Sequence, residues 1–143
     1  MNCPECGAPC IEGMNCWEML GAIIAWEYQD PELMAEHFLT VASYNLQHSA
    51  QFTDEALVGL RMALIAYLDH GVSPAELRRR FVGYDGKRRV LKPESERQPT
   101  YRAWPLTVAS VYTPEHPEGA AGRVRTWGTS IKNEILNEQK LMY

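Results

Sequence analysis

The residues best suited to chemistry are cysteines crowded at the start of the chain: Cys3, Cys6, Cys10 and Cys16. The stretch CPECG at positions 3–7 has the form of a zinc knuckle, in which a tight turn directs two thiolates at one ion. Gly7 relieves the backbone after the second ligand. A redox pair at this spacing needs a preceding strand and a following helix, and Cys3 lies too near the chain start for both. We therefore predict a metal site that binds Zn²⁺.

A knuckle supplies two ligands, whereas a structural zinc ion takes four. The remaining candidates are cysteines and histidines spread along the chain: Cys10, Cys16, His37, His48, His70 and His116. Which of them approach the knuckle depends on the helices that carry them.

Apolar periodicity predicts a first helix from Cys16 to about residue 29 and a second from about Pro31 to Gln47. Asp30 is suited to cap the second helix, with Pro31 in its first turn. Two helices joined by so short a turn must be antiparallel neighbours. The second helix carries one predicted stripe: Leu33, His37, Val41, Tyr44 and His48.

The rest of the chain continues the helical pattern. Thr53 is the predicted N-cap of a third helix that ends at Gly71, and Ser73-Pro74 begins a short fourth helix. Later predicted elements are a brief strand at Val90-Leu91, a short turn through 107–111 and a last helix from Thr113-Pro114 to about Leu136. We predict a mainly α fold, a small helical bundle with an N-terminal zinc knuckle and a long irregular segment around 82–106.

The predicted hairpin selects among the ligands, because it brings Cys16 at the start of one helix beside His48 at the far end of the other. The favoured set is a closed site of structural type: Cys3, Cys6, Cys16 and His48. A set of four cysteines, with Cys10 in place of His48, is the alternative that remains open.

The other histidines need separate interpretations. His37 lies eleven residues before His48, about 16 Å along a helix axis, so the two cannot share one ion. His37 is either a buried histidine satisfied by a neighbour or part of a separate pocket with Tyr44 and His116. His70 is expected at a helix C-terminus, where a protonated imidazole interacts favourably with the helix dipole.

Several motifs together resemble a known family. They are CPECG at 3–7, Asn15-Cys16-Trp17, HFLTV at 37–41 with Tyr44, Gln47-His48, LTVA at 106–109, His116 and VRTW at 124–127. The chain resembles a family of small bacterial proteins grouped as a domain of unknown function. The family pattern has a proline where this sequence has Ser49, and it requires no cysteine at Cys10. The resemblance supports the ligand set with His48, draws attention to His37 and His116, and implies no known activity.

Length and composition are those of an ordinary folded domain. The 143 residues are 45% hydrophobic and 22% charged, so we expect one domain over 1–143, with residues 1–15 packed as a knuckle segment on the helical core. No stretch approaches the about 18 apolar residues of a membrane span, and no basic region precedes an apolar one at the start. We expect a cytoplasmic protein with no membrane partner.

Charge is divided unevenly along the chain. Residues 1–76 contain one basic residue, Arg61, and eleven acidic residues, whereas residues 77–102 contain nine basic and three acidic residues. A basic patch attracts anions. The net charge of −4 nevertheless ranks nucleic acid below a protein or small-molecule partner, because nucleic-acid binding rests on many phosphate contacts. The oligomeric state is not predicted.

Three functions are compatible with these features. The first is a zinc-binding interaction or binding module with a structural metal site, in which the basic segment contacts the partner. The second is a metal-dependent enzyme with a histidine-lined pocket formed by His37, Tyr44, His48 and His116. The third is a nucleic-acid module that stacks bases on Tyr84, Tyr101 and Trp104.

Overall fold

The structure, a computed structural model, describes residues 2–81, 90–112 and 117–142. These residues form seven α-helices: α1 Cys16–Glu27, α2 Pro31–Ala35, α3 His37–Gln47, α4 Asp54–His70, α5 Pro74–Phe81, α6 Val108–Tyr112 and α7 Ala120–Met142. Two 3₁₀ helices, Ser49–Gln51 and Glu94–Glu96, complete the regular structure of these ranges, which contain no β-strand. The predicted mainly α fold with a cysteine-rich N-terminal segment is confirmed.

Local sequence signals explain most helix ends. Asn15 caps α1 by accepting the Glu18 N–H at 2.9 Å, and the Glu18 carboxylate accepts the Asn15 N–H in return. Thr53 caps α4 as predicted, and its hydroxyl accepts the Ala56 N–H at 3.2 Å. Gly71 ends α4 in the left-handed conformation, also as predicted.

The prediction of one helix from Pro31 to Gln47 is wrong, because the chain breaks at Glu36, with φ −97° and ψ 13°. Long-range contacts hold this break. The Glu36 carboxylate accepts hydrogen bonds from Tyr67 at 2.8 Å and from Arg125 at 2.9 Å. The antiparallel arrangement nevertheless survives, since α2 and α3 both pack against α1.

The break also changes which face of α3 is buried. The predicted stripe is wrong at His37, whose side chain is 50% exposed, and at Val41, which is only partly buried. The other predicted stripe residues, Leu33, Tyr44 and His48, are buried. Leu39, Ala42 and Leu46 are buried in addition.

The last helix begins later than predicted. Its first residue is Ala120, because Gly119 has φ +76° and lies in a turn where the Ala120 N–H donates to the Pro117 carbonyl at 3.0 Å. Residues 113–116, which include the predicted start and His116, lie outside the described residues.

Helix α7 supplies the centre of the core. It packs against α2, α3, α4 and α6, and it buries four large apolar side chains: Val124, Trp127, Ile131 and Ile135. Trp127 donates its indole N–H to the Gln47 side chain at 3.2 Å, and Gln47 donates to the Leu106 carbonyl at 2.7 Å. These bonds fix the end of α3, where the next residue is His48.

The described part of the segment before α6, residues 90–106, is irregular as predicted, apart from the 3₁₀ helix Glu94–Glu96. Tyr84 lies outside the described residues. The predicted strand at Val90-Leu91 is reduced to an isolated bridge between Leu91 and Phe52. The Arg102 N–H donates to the Glu5 carbonyl at 3.1 Å and so ties this segment to the cysteine-rich N-terminus.

Candidate metal centre

Three parts of the chain converge on one small group of metal-binding side chains. Its members are Cys3, Cys6, Cys16 and His48, and their ligand atoms all lie within 4.8 Å of one another. Cys6, Cys16 and His48 are buried, and Cys3 is partly buried. The four residues that the hairpin prediction favours are therefore together and able to hold a metal ion.

The first two sulfurs are positioned by the turn at 3–8. The Gly7 N–H donates to the Cys3 carbonyl at 3.0 Å, and the Cys3 N–H donates to the Ala8 carbonyl at 2.9 Å. Gly7 has φ +78°, a conformation that side chains disfavour. The Ala8 N–H points at the Cys6 sulfur at 3.4 Å, a contact that favours a thiolate.

The other two ligands come from the helical hairpin. Cys16 is the first residue of α1, and His48 is the C-cap of α3. The His48 Nε2 atom lies 3.4 Å from the Cys16 sulfur and 3.5 Å from the Cys3 sulfur. The Nδ1–H of His48 donates to the Tyr44 carbonyl at 2.7 Å, which leaves the Nε2 lone pair directed at the sulfurs.

The geometry and the chemistry of this donor set fit zinc. In a tetrahedral site with bonds of about 2.3 Å to sulfur and about 2.05 Å to nitrogen, each nitrogen–sulfur pair is about 3.6 Å apart. The two nitrogen–sulfur distances of 3.4 and 3.5 Å are close to that value. Three thiolates and one imidazole are also donors that zinc prefers.

The cysteines and His48 shift one another's protonation. A hydrogen bond with Cys6 is the main cause that lowers the pKa of Cys16 to about 3, and the bond with His48 adds to it. The pKa of Cys6 is raised, first by the same hydrogen bond and then by burial. Burial lowers the pKa of His48, but bonds to Cys16 and the Tyr44 backbone outweigh it and raise the pKa to about 9, so Nε2 must release its proton to bind a metal ion. Cys16 is thus stabilised as a thiolate, the form that binds metals.

Tyr44 covers the inner side of the group. Its ring stacks on that of His48, with the centroids 3.9 Å apart, and its hydroxyl lies 3.6 Å from the Cys16 sulfur. Burial raises the pKa of Tyr44, so the phenol stays protonated and can donate to this sulfur. The Trp17 ring, which is 68% exposed, lies 6.0 Å from Tyr44 on the outside.

The remaining predicted site residues lie apart from this group. Cys10 is exposed and is not one of the four clustered residues. His37 binds the Glu27 carboxylate at the C-terminal end of α1, whereas Tyr44 and His48 contact Cys16 at its N-terminal end. His116 lies outside the described residues. The burial of Glu27 against His37 is not predicted from the sequence, because a glutamate at a helix end carries no signal of burial.

Residues 1–135 match a family described as a family of unknown function, DUF5946. No curated protein and no solved structure matches the chain. In the described ranges, no helix has the length and apolar composition needed to cross a membrane. The match covers nearly the whole sequence and confirms that the chain belongs to a family of unknown function, as its motifs indicate. The chain belongs to the DUF5946 family.

Proposed function

We propose that this protein is a zinc-binding helical interaction or binding module, in which the ion joins the N-terminal segment to the hairpin of α1 and α3. The observation that carries the proposal is the convergence of four ligand atoms within 4.8 Å from residues 3, 6, 16 and 48. When bound, Zn²⁺ cross-links these four residues. Because the unfolded chain has no such site, the free energy of coordination adds to the free energy of folding.

A structural role fits this donor set better than a catalytic one. Catalytic zinc generally keeps three protein ligands and one open position, whereas four protein atoms complete a tetrahedral shell. A single catalytic pocket of His37, Tyr44 and His48 is also disfavoured. Cys16 and Glu27, the partners of these side chains, are eleven residues apart on α1, which is about 16 Å.

Apart from the proposed metal ligands, the N-terminal segment is held by the hydrogen bonds of Glu5 and by the partly buried Ile11 and Met14. Residues 2–15 contain no helix or strand, only a turn and the isolated bridge between Ile11 and Met14. Cys6 and Ala8 are its buried residues. A metal ion can therefore contribute the stability that a segment of this size does not obtain from apolar burial.

The experiment is metal content and stoichiometry on the purified protein, repeated on His48→Ala and on the matched control Cys10→Ser. We expect one zinc per chain, retained in Cys10→Ser and lost or bound at least about tenfold more weakly in His48→Ala. Zinc lost with Cys10 and unaffected by His48 contradicts this ligand set and favours a four-cysteine site. A protein that takes up no zinc after reduction and zinc addition contradicts the whole proposal.

We propose the basic segment 78–102 as the surface that contacts a protein or small-molecule partner. Its nine basic residues are the densest positive charge in the chain, and Arg78, Arg79 and Arg80 are exposed on α5. Reversing these three arginines to glutamate should abolish partner binding and leave zinc content unchanged. Unaltered binding excludes this surface.

A further inference from the structure

A polar pocket lies beside the metal centre, between the cysteine-rich segment, α3, α4 and the segment that precedes α6. Its cavity volume is about 60 Å³, which suits a small ion rather than a drug-sized ligand. Its polar lining consists of Glu5, Gln47, Ser49, Arg61, Thr100 and Arg102. Glu5 lies between Cys3 and Cys6, so one wall of the pocket is part of the proposed metal site.

Arg61 is the unusual member of this lining. It is the one basic residue among the first 76, and its side-chain Nε atom is buried with no hydrogen-bond partner among residues 2–81, 90–112 and 117–142. A guanidinium group remains charged at all ordinary pH values and carries five N–H donors. A buried donor without an acceptor is costly and rare in native structures, which makes Arg61 the candidate in this pocket for binding an added acceptor.

The other charged groups of the lining already have partners. Arg102 pairs with Glu134 and Glu138 on α7, and its guanidinium lies 4.1 Å from the centre of the Trp104 ring. The Glu5 carboxylate accepts the Ala50 N–H at 3.2 Å. Arg61 has no comparable ion pair within the described residues.

We propose that this pocket binds a small oxyanion, a ligand with a carboxylate or phosphate group whose oxygens accept hydrogen bonds from the guanidinium group of Arg61. The planar fork of arginine matches two oxygens of either group, and such bidentate pairs are among the strongest hydrogen bonds. The hydroxyls of Ser49 and Thr100 line the same pocket and can donate as well. Because the Glu5 carboxylate repels an anion in this pocket, the affinity for the oxyanion depends on Arg61.

The test is isothermal titration calorimetry of the zinc-loaded protein with inorganic phosphate and, separately, with acetate at low ionic strength. The variants are Arg61→Met, which keeps the side-chain length without the charge, and Arg125→Met, which removes an exposed arginine of α7 outside both the pocket and the basic segment as a matched control. We expect saturable binding of at least one ion to the native protein and to Arg125→Met, weakened about tenfold or more in Arg61→Met. Phosphate binding alone identifies a phosphate ligand, and acetate binding alone a carboxylate.

A second readout separates binding from structural support. Without anion, Arg61→Met should melt at the same or a higher temperature than the native protein, because it removes a buried unsatisfied donor. If Arg61→Met does not fold, Arg61→Lys replaces it: the charge remains but the fork is lost, so anion binding still weakens.

Two results overturn the proposal: no saturable binding of either ion, or equal binding by the Arg61 variants and the native protein. Zinc is measured in each sample, so that a loss of anion binding is distinguished from a loss of the metal site. A protein that binds the anion through Arg61 but holds no zinc supports the pocket and contradicts the proposed zinc module.

Discussion

Glu27 and His37 form a pair across the hairpin, with Nδ1 of His37 at 2.5 and 2.7 Å from the two carboxylate oxygens of Glu27. The Glu27 side chain is 1% exposed, whereas that of His37 is 50% exposed. A buried carboxylate requires a hydrogen-bond or charge partner. His37 supplies this partner from the surface, so its role in the structure is to satisfy Glu27 at the end of α1.

The first prediction follows from this pair. His37→Ala leaves the buried Glu27 carboxylate without its partner, so the free energy of unfolding should fall by about 1–3 kcal/mol. Urea denaturation followed by circular dichroism measures the loss. In the double variant with Glu27→Gln, which carries no charge at this position, part of the loss should be recovered. His70→Ala, at an exposed histidine, is the control and should change stability little. Equal stability of His37→Ala and the native protein contradicts the prediction.

The proximity of Cys16 and His48 could be predicted from sequence because it depends on simple geometry. A helix starting at Cys16, a turn at Asp30-Pro31 and an antiparallel return place residues 16 and 48 at the same end of the hairpin. The 3.4 Å distance between Cys16 Sγ and His48 Nε2 confirms this expectation, although the returning helix is broken. The lengths of the helices and the position of the turn are enough to predict this contact, because the break at Glu36 does not move Cys16 or His48 to the other end of the hairpin.

The break itself could not be predicted, because no glycine or proline marks residue 36. It is held by Tyr67 and Arg125, which are distant in sequence and donate to the Glu36 carboxylate. The burial of Glu27 and of the Arg61 Nε atom likewise depends on tertiary packing. Patterns of apolar residues report elements and faces, but they carry no information on which charged side chain a neighbouring element covers.

The second prediction concerns the contact between α7 and α3. A Cβ atom at Gly128 would lie 2.5 Å from Cδ1 and 2.9 Å from Cγ of the buried Leu39. Gly128→Ala should therefore destabilise the protein by about 1–3 kcal/mol, although alanine favours the helix. Gly122→Ala, in the same helix but with open space around its Cβ, should be neutral or stabilising by up to about 1 kcal/mol. Thermal unfolding compares the two, and equal effects would refute the proposed close packing.

The third prediction concerns alkaline pH. Burial, together with the hydrogen bond to Glu36, raises the pKa of Tyr67 to about 12. The folded state thus favours the protonated phenol, so the contribution of Tyr67 to stability is complete below its unfolded pKa of about 10. This contribution is lost as the pH rises through the folded pKa. The phenolate absorbance of the native protein, minus that of Tyr67→Phe, should show a component centred near pH 12.

Glu36→Gln provides the control for this titration. It removes the negative charge that faces the Tyr67 hydroxyl at 2.8 Å, so the pKa of Tyr67 should move down toward its ordinary value. A native difference titration centred near the ordinary tyrosine value of about 10 contradicts the assigned environment of Tyr67.

The last prediction separates backbone strain from metal binding in the N-terminal segment. Gly7 and Gly13 both have φ +78°, so alanine at either position should cost about 1–2 kcal/mol of stability. Only Gly7 lies inside the turn that aims Cys3 and Cys6, and a Cβ there would come within 2.8 Å of the Tyr101 ring. Gly7→Ala should therefore also weaken zinc binding, measured by competition with a chromogenic chelator, whereas Gly13→Ala should leave it unchanged. Equal zinc affinity of the two variants means that the turn does not position the sulfurs.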